Sequence, residues 1–227
     1  LYTAIEAAKI KPNTAFLNDF ILTKANDHQN LPTWEAYNQL VRKGDVAPDH
    51  DTFTILWQVM RDQLRKPDSD FPQPRTLFAE MVRWPQNRKQ GALSQEAYDL
   101  ILDCFLMADD QMGAAVALRA LQCLYDLYPD DETVSNMIIQ LSKTGHRKVN
   151  LPRRQDRDED LKHRVSLITE TANQLKEQRA KDLLEKGIVS DNMDNTTKSE
   201  ETILLLSDLL LTASQSIVVH PFVNRVD

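Results

Sequence analysis

The sequence predicts an all-α protein: a right-handed superhelical solenoid of helix–turn–helix repeats with a C-terminal helical extension. Three observations carry that expectation. Apolar residues recur at steps of three and four almost throughout, the spacing of one helix face. The 227 residues include only five glycines, which disfavours a turn-rich β protein. Proline followed by Asn or Asp returns as punctuation, at Pro12-Asn13, Pro48-Asp49 and Pro129-Asp130.

The first two prolines are 36 residues apart, and Ser94 precedes Pro129 by 35. The middle unit runs to about 45 because it holds the loop "KPDSDFPQP". A hairpin period near 35 marks a solenoid, because one hairpin buries too little apolar surface alone and must stack on its neighbours.

Each element has its own signal. "TAFLNDFILTKA" places Phe16, Leu17, Phe20, Ile21 and Lys24 at helical steps, with Thr14 as a candidate cap. Pro32 and Thr33 suit the next helix start, and Trp34, Tyr37, Leu40 and Val41 form its face. Gly44 fits the left-handed position past that helix's end, and Pro48 cannot continue the helix. "FTILWQVMRDQL" is the next helix, and "RTLFAEMVRW" follows the proline-rich loop. "QEAYDLILDCFLMA" and "GAAVALRALQCLYDLYP" read as a helical pair joined around Asp109 to Met112, and "ETVSNMIIQLSKTG" begins the pattern again.

From His146 the character changes. Residues 146–160 read as a basic, charged linker. In residues 161–186, Leu161, Val165, Ile168, Ala172 and Leu175 repeat at four-three-four-three, a coiled-coil-like stripe that Arg179 breaks. Residues 187–198 read as a second linker, with Thr197 and Glu200 as a capping box. Residues 199–219 form an apolar helix. There, Leu205, Leu206, Leu209 and Leu210 are the candidates for docking, on this chain's own long helix or, as the preferred expectation, on a partner protein.

Composition bounds the function. The net charge is −7, so broad attraction to nucleic acid or anionic lipid does not follow, and any such contact needs a local patch. The longest apolar stretch, "TILLLSDLLLTASQSIVV", is interrupted by Ser207 and Asp208, so no membrane span is expected. Cys104 and Cys123 read as reduced thiols. The five histidines show no metal-ligand spacing, and the sequence holds neither a Gly-rich phosphate loop nor a nucleophile elbow. No cofactor, no metal and no enzymatic role are expected. The chain opens on Leu1, which fits a removed presequence and fits a fragment equally well.

Residues 11–145, about three and a half repeats, resemble the pentatricopeptide repeat family. "DTFTILW", "EAYDLILD" and "ETVSNMII" resemble its opening, and "LVRKGDVAPD" and "CLYDLYPD" its close. A tetratricopeptide-like repeat is the second choice. The resemblance implies single-stranded RNA held along the first helices, one base per repeat being read by a polar residue early in the helix and another at the repeat's end.

Carried over, the readers are Asn18 with Asp49, Thr54 closing near Ser94, Asp99 with Asp130, and Ser135. Phe20 or Leu56 would sandwich a base. Asn18 with Asp49 resembles a uracil reader, whereas the paired carboxylates of Asp99 and Asp130 depart from the pattern. The alternative for the same residues is plain: Asn18 and Thr54 as solvent-facing, Asp49 and Asp130 as helix caps. Arg147, Lys148, Arg153 and Arg154 form a basic stretch suited to RNA backbone or an acidic partner.

The resemblance thus implies a non-enzymatic factor of mitochondrial RNA metabolism or translation, including a mitochondrial ribosome component. It would work on single-stranded or ribosomal RNA with protein partners, in the matrix rather than the cytoplasm or nucleus. A protein–protein scaffold or assembly factor without RNA binding is the alternative.

Overall fold

A computed structural model of the protein describes residues 7, 11–26, 30–43, 45–65, 71–84, 93–144, 154–187 and 195–219. Among them are nine helices and no strand: α1 Thr14–Asn26, α2 Asn30–Arg42, α3 His50–Gln63, α4 Pro74–Arg83, α5 Gln95–Met107, α6 Gln111–Tyr125, α7 Asp131–Thr144, α8 Arg154–Glu185 and α9 Asn195–Val219. The chain is all-α, as expected. Contacts divide it into two compact units, Leu1–Cys104 with Leu124–Asp126, and Phe105–Cys123 with Leu127–Asp227.

In the first unit α1 packs on α2 and α3, α2 on α3, and α3 on α4. The expected apolar faces meet. Leu17 and Ile21 of α1, Tyr37 and Leu40 of α2, Phe53, Leu56, Trp57 and Met60 of α3, and Leu77 and Met81 of α4 are all essentially solvent-free. Each such side chain contributes roughly 1.5–3 kcal/mol relative to exposure. The Tyr37 ring meets Trp34 in a parallel stack at 5.0 Å and Phe53 edge-on at 6.1 Å.

Among the described residues, one charged side chain is buried in this core. Glu80 of α4 accepts from the Tyr37 hydroxyl at 3.2 Å and pairs with Arg83 at 3.3 Å. Burial first, and the Glu80 charge second, push the Tyr37 hydroxyl far above its ordinary pKa, so it stays a donor. Two partners make a buried carboxylate tolerable.

The helix ends follow one local design. Asp45 after α2 and Asp126 after α6 adopt left-handed backbone, with φ of 53° and 55°. The next residue's N–H then reaches six residues back, Val46 to Leu40 and Leu127 to Leu121. That is a left-handed helix ending one residue wider than a Schellman motif, with Asp in place of the usual glycine; Asp is among the few side chains that tolerate this region. The expectation that Gly44 fills the position is corrected in part: Asp45 adopts it, and Gly44 lies outside the described residues. Thr14, expected to cap α1, instead donates to the Ala47 carbonyl at 2.8 Å, and Asn13 caps the helix.

The second unit holds most of α6 with α7, α8 and α9. Helix α8 packs on both α7 and α9. Gly113 is required near the start of α6. Its N–H donates to Asp110 at 2.9 Å, and an added Cβ would stand 2.7 Å from both the Asp110 carboxyl carbon and the Phe105 ring.

Two expected boundaries move. α8 begins at Arg154, inside the stretch expected as a linker, and α9 begins at Asn195, inside the other. Ser199 already donates to the Asn195 carbonyl at 2.9 Å, so Thr197 lies within the helix and does not cap it. Charged residues, several of high helix propensity, extend α8 past the apolar pattern; the added turn of α9, Asn195 to Lys198, is polar and mostly of low propensity.

The residue that seemed to break the α8 stripe continues it in polar form. Val165, Ile168, Ala172 and Leu175 are half-buried, and Arg179 is the next seam position. Its guanidinium holds two carboxylates of α9, Glu201 at 2.8 Å and Asp208 at 2.9 Å, one helical face apart by seven residues. On α9, Ile203, Leu206, Leu209 and Leu210 are buried within the chain, and Leu205 is half-buried. The preferred expectation that this leucine face waits for a partner protein is therefore corrected: its centre is already covered.

Candidate nucleic-acid interface

α1, α3, α5 and α7, the expected first helices, each open with a side-chain cap. Asn13 accepts from the Phe16 N–H at 2.9 Å, Asp49 from Thr52 at 2.9 Å, Ser94 from Ala97 at 3.2 Å and Asp130 from Thr133 at 2.8 Å. These caps recur at steps of 36, 45 and 36 residues. Counting from each cap, the expected readers Asn18, Thr54, Asp99 and Ser135 all fall at the fifth position. They are half-buried or exposed, while the position before them is buried in the first three helices (Leu17, Phe53, Tyr98). The caps are the register marks.

The expected pair Asn18–Asp49 comes together. The Asn18 Nδ2 donates to Asp49 Oδ1 at 3.1 Å, across 31 residues. The Asn18 Oδ1 accepts from the Thr52 hydroxyl, whose oxygen also lies 2.9 Å from Asp49 Oδ1 and shares its one hydrogen between the two acceptors. The Asp49 N–H donates to the Thr52 hydroxyl in turn, at 3.1 Å, completing a capping box.

Partial burial pushes the Asp49 carboxyl up in pKa. The Thr52 N–H, the Asn18 amide and the Thr52 hydroxyl together outweigh burial and hold it below the usual carboxylate range. Asp49 is thus ionised, and its bonds orient the pair. It keeps one Asn18 amide hydrogen and the second Asp49 oxygen, a donor and an acceptor side by side. A base edge offering a carbonyl next to an N–H, as uracil does, is the complement.

The other readers are placed differently. Thr54 donates to the His50 carbonyl at 2.9 Å, and Ser135 to Asp131 at 2.9 Å, so each hydroxyl hydrogen is committed to its own helix. Asp130 accepts from both the N–H and the hydroxyl of Thr133, which hold it below the usual carboxylate range. Asp99 belongs to the first unit and Asp130 to the second. Ser94 is engaged as the α5 cap.

The expected sandwich residues are corrected. Leu56 has no exposed surface, and Phe20 stacks along α1 on Phe16 at 6.2 Å, on the side of the helix away from Asn18. The apolar side chain that shares Asn18's face is Leu22, one turn on and 45% exposed; in α7 the same relation joins Ser135 to Ile139, 41% exposed. Arg147, Lys148 and Arg153 lie outside the described residues, and Arg154 is described only as the first residue of α8.

Sequence reasoning missed Thr52 and Thr133, the cap partners. A signal was present: "DVAPDHDT" and "DLYPDDET" share Asp, an apolar residue, Pro-Asp, an acid and Thr in register, 81 residues apart. The two stretches carry the same left-handed turn and the same cap.

Among the described residues no helix is long and apolar enough to cross a membrane, and no group of His, Cys, Asp and Glu could hold a metal ion. No family model matches the sequence, and none of the curated proteins matches it significantly.

Proposed function

We propose that this chain is a non-enzymatic helical-repeat protein that holds single-stranded RNA along the first helices of its hairpins, in mitochondrial RNA metabolism or translation and within a larger assembly. The observation that carries the reading is the Asn18–Asp49 hydrogen bond. It ties the fifth residue of one repeat's first helix to the cap of the next repeat, and leaves a paired donor and acceptor for one base edge. The pentatricopeptide resemblance supports it independently, because it pairs these same two positions.

Recognition is concentrated in the first repeat. The exposed residues Asp51, Glu96 and Glu132, each one turn before a reader position, put carboxylates on the other first helices. They oppose phosphate, so a single strand gains little there and the assembly must supply further affinity.

Those same carboxylates favour a second reading, a scaffold whose first helices take a basic protein segment. Purification of the native protein from organelles, with and without nuclease, separates the two. Loss of co-purifying partners on nuclease treatment supports the RNA reading. Partners retained in full, with no RNA recovered, support the scaffold.

A further inference from the structure

A second surface with recognition chemistry lies on the other helix of the first hairpin. A shallow, open hollow of about 470 Å³ lies on one face of α2 and is lined by Trp34, Glu35, Asn38, Gln39, Arg42 and Lys43. We propose that it is a stacking site for one nucleotide of single-stranded nucleic acid, the base on the Trp34 indole and the backbone phosphate at Arg42. The inference rests on the RNA reading above but on different residues.

The aromatic platform is already fixed. Trp34 is half-buried, its ring parallel to Tyr37 at 5.0 Å and tilted against Phe71 at 6.0 Å. An indole held in one orientation loses little freedom when a ring stacks on it, and stacking tolerates any base. Asn38 spends an amide hydrogen on the Trp34 carbonyl at 3.0 Å, which leaves its side-chain oxygen to accept from a base edge.

Charge selects the rest of the ligand. Arg42 lies two helical turns beyond Trp34 on the same helix face. Arg42 and Lys43 are exposed cations at the C-terminal end of α2, where the helix dipole favours them. A basic protein segment would meet both. The single acid, Glu35, accepts from the Gln39 amide at 3.2 Å. A bare phosphate has no ring to place on Trp34. A ring joined to one backbone phosphate uses both ends of the hollow.

The test is fluorescence anisotropy of the intact chain with a short labelled single-stranded RNA of mixed sequence, using Trp34→Ala, Trp34→Phe and Arg42→Ala. Trp34→Ala should weaken binding roughly 5- to 100-fold, the effect of losing one stacked base, equally for all sequences. Trp34→Phe should retain most of the affinity and guards against a folding defect. Arg42→Ala should lower the salt slope by about one counterion.

If Trp34→Ala and Arg42→Ala bind like the parent while Asn18→Ala does not, the stacking site is refuted and the reader pair stands. If the parent binds no RNA at low salt, both are refuted. Occupation of the hollow by a Lys-rich peptide in place of RNA also overturns the inference.

Discussion

Replacing Asp49 by Ala removes two hydrogen bonds at once, from the Thr52 N–H at 2.9 Å and the Asn18 amide at 3.1 Å, and leaves the Thr52 hydroxyl to Asn18 alone. Loss of an N-cap costs about 1 kcal/mol. The bond to Asn18 adds roughly 0.5–1.5 kcal/mol, toward the low end because both side chains are half-exposed and water replaces part of it. The expected total is about 1.5–2 kcal/mol.

Asp130→Ala is the matched control, because Asp130 caps α7 through the same Thr contacts. It should cost about 1 kcal/mol. Urea unfolding followed by far-UV circular dichroism measures both. Tryptophan fluorescence isolates the first unit, since Trp34, Trp57 and Trp84 all belong to it. A double-mutant cycle between Asn18→Ala and Asp49→Ala should show coupling of roughly 0.5–1 kcal/mol. If Asp49→Ala costs no more than Asp130→Ala and the cycle shows no coupling, the two reader positions are not joined and the reasoning fails.

Arg179→Met should destabilise the α8–α9 pair by about 1–2 kcal/mol, because partly buried Arg179 holds two carboxylates, and the loss should shrink in high salt; thermal melts at two ionic strengths check it. Asp49 and Asp130 are held below the usual carboxylate range, so the stability they supply is present above the unfolded value near about 3.9 and is lost as pH falls through their folded values. Asp49→Asn, which keeps a capping oxygen, should therefore flatten acid unfolding below about pH 4, read by circular dichroism against pH. Burial pushes the Cys104 thiol well above its ordinary pKa, whereas Cys123 is exposed; Ellman's reagent should titrate one thiol rapidly in the native chain and the second only on unfolding.

The helices and most of the core were legible because a 3.6-residue period is written in apolar side chains, and Leu17, Tyr37, Leu56 and Leu210 obey it. The boundaries of α8 and α9 were not. Their first turns are polar, so no apolar signal marks them. The pairing of Asn18 with Asp49 was expected only as what the pentatricopeptide resemblance implies. The sandwich residue was not, since Phe20 and Leu22 are equally apolar in sequence and only the helix face separates them. The role of Arg179 was read as an interruption because a heptad stripe is scored on apolar residues, while a seam position can carry an interhelix charge. Asp45 hid beside Gly44, the residue type usually found at a left-handed helix end.

In the proposed function Asn18 and Asp49 together read a base. The most direct measurement compares the affinity of the intact chain for labelled single-stranded RNAs that differ at one base, in the parent and in Asn18→Ala and Asp49→Ala. The parent should prefer uracil, and either variant should lose roughly tenfold on the preferred sequence, with the remaining sequences little changed. Equal affinity for every base in the parent, or variants that weaken all sequences alike, would contradict it.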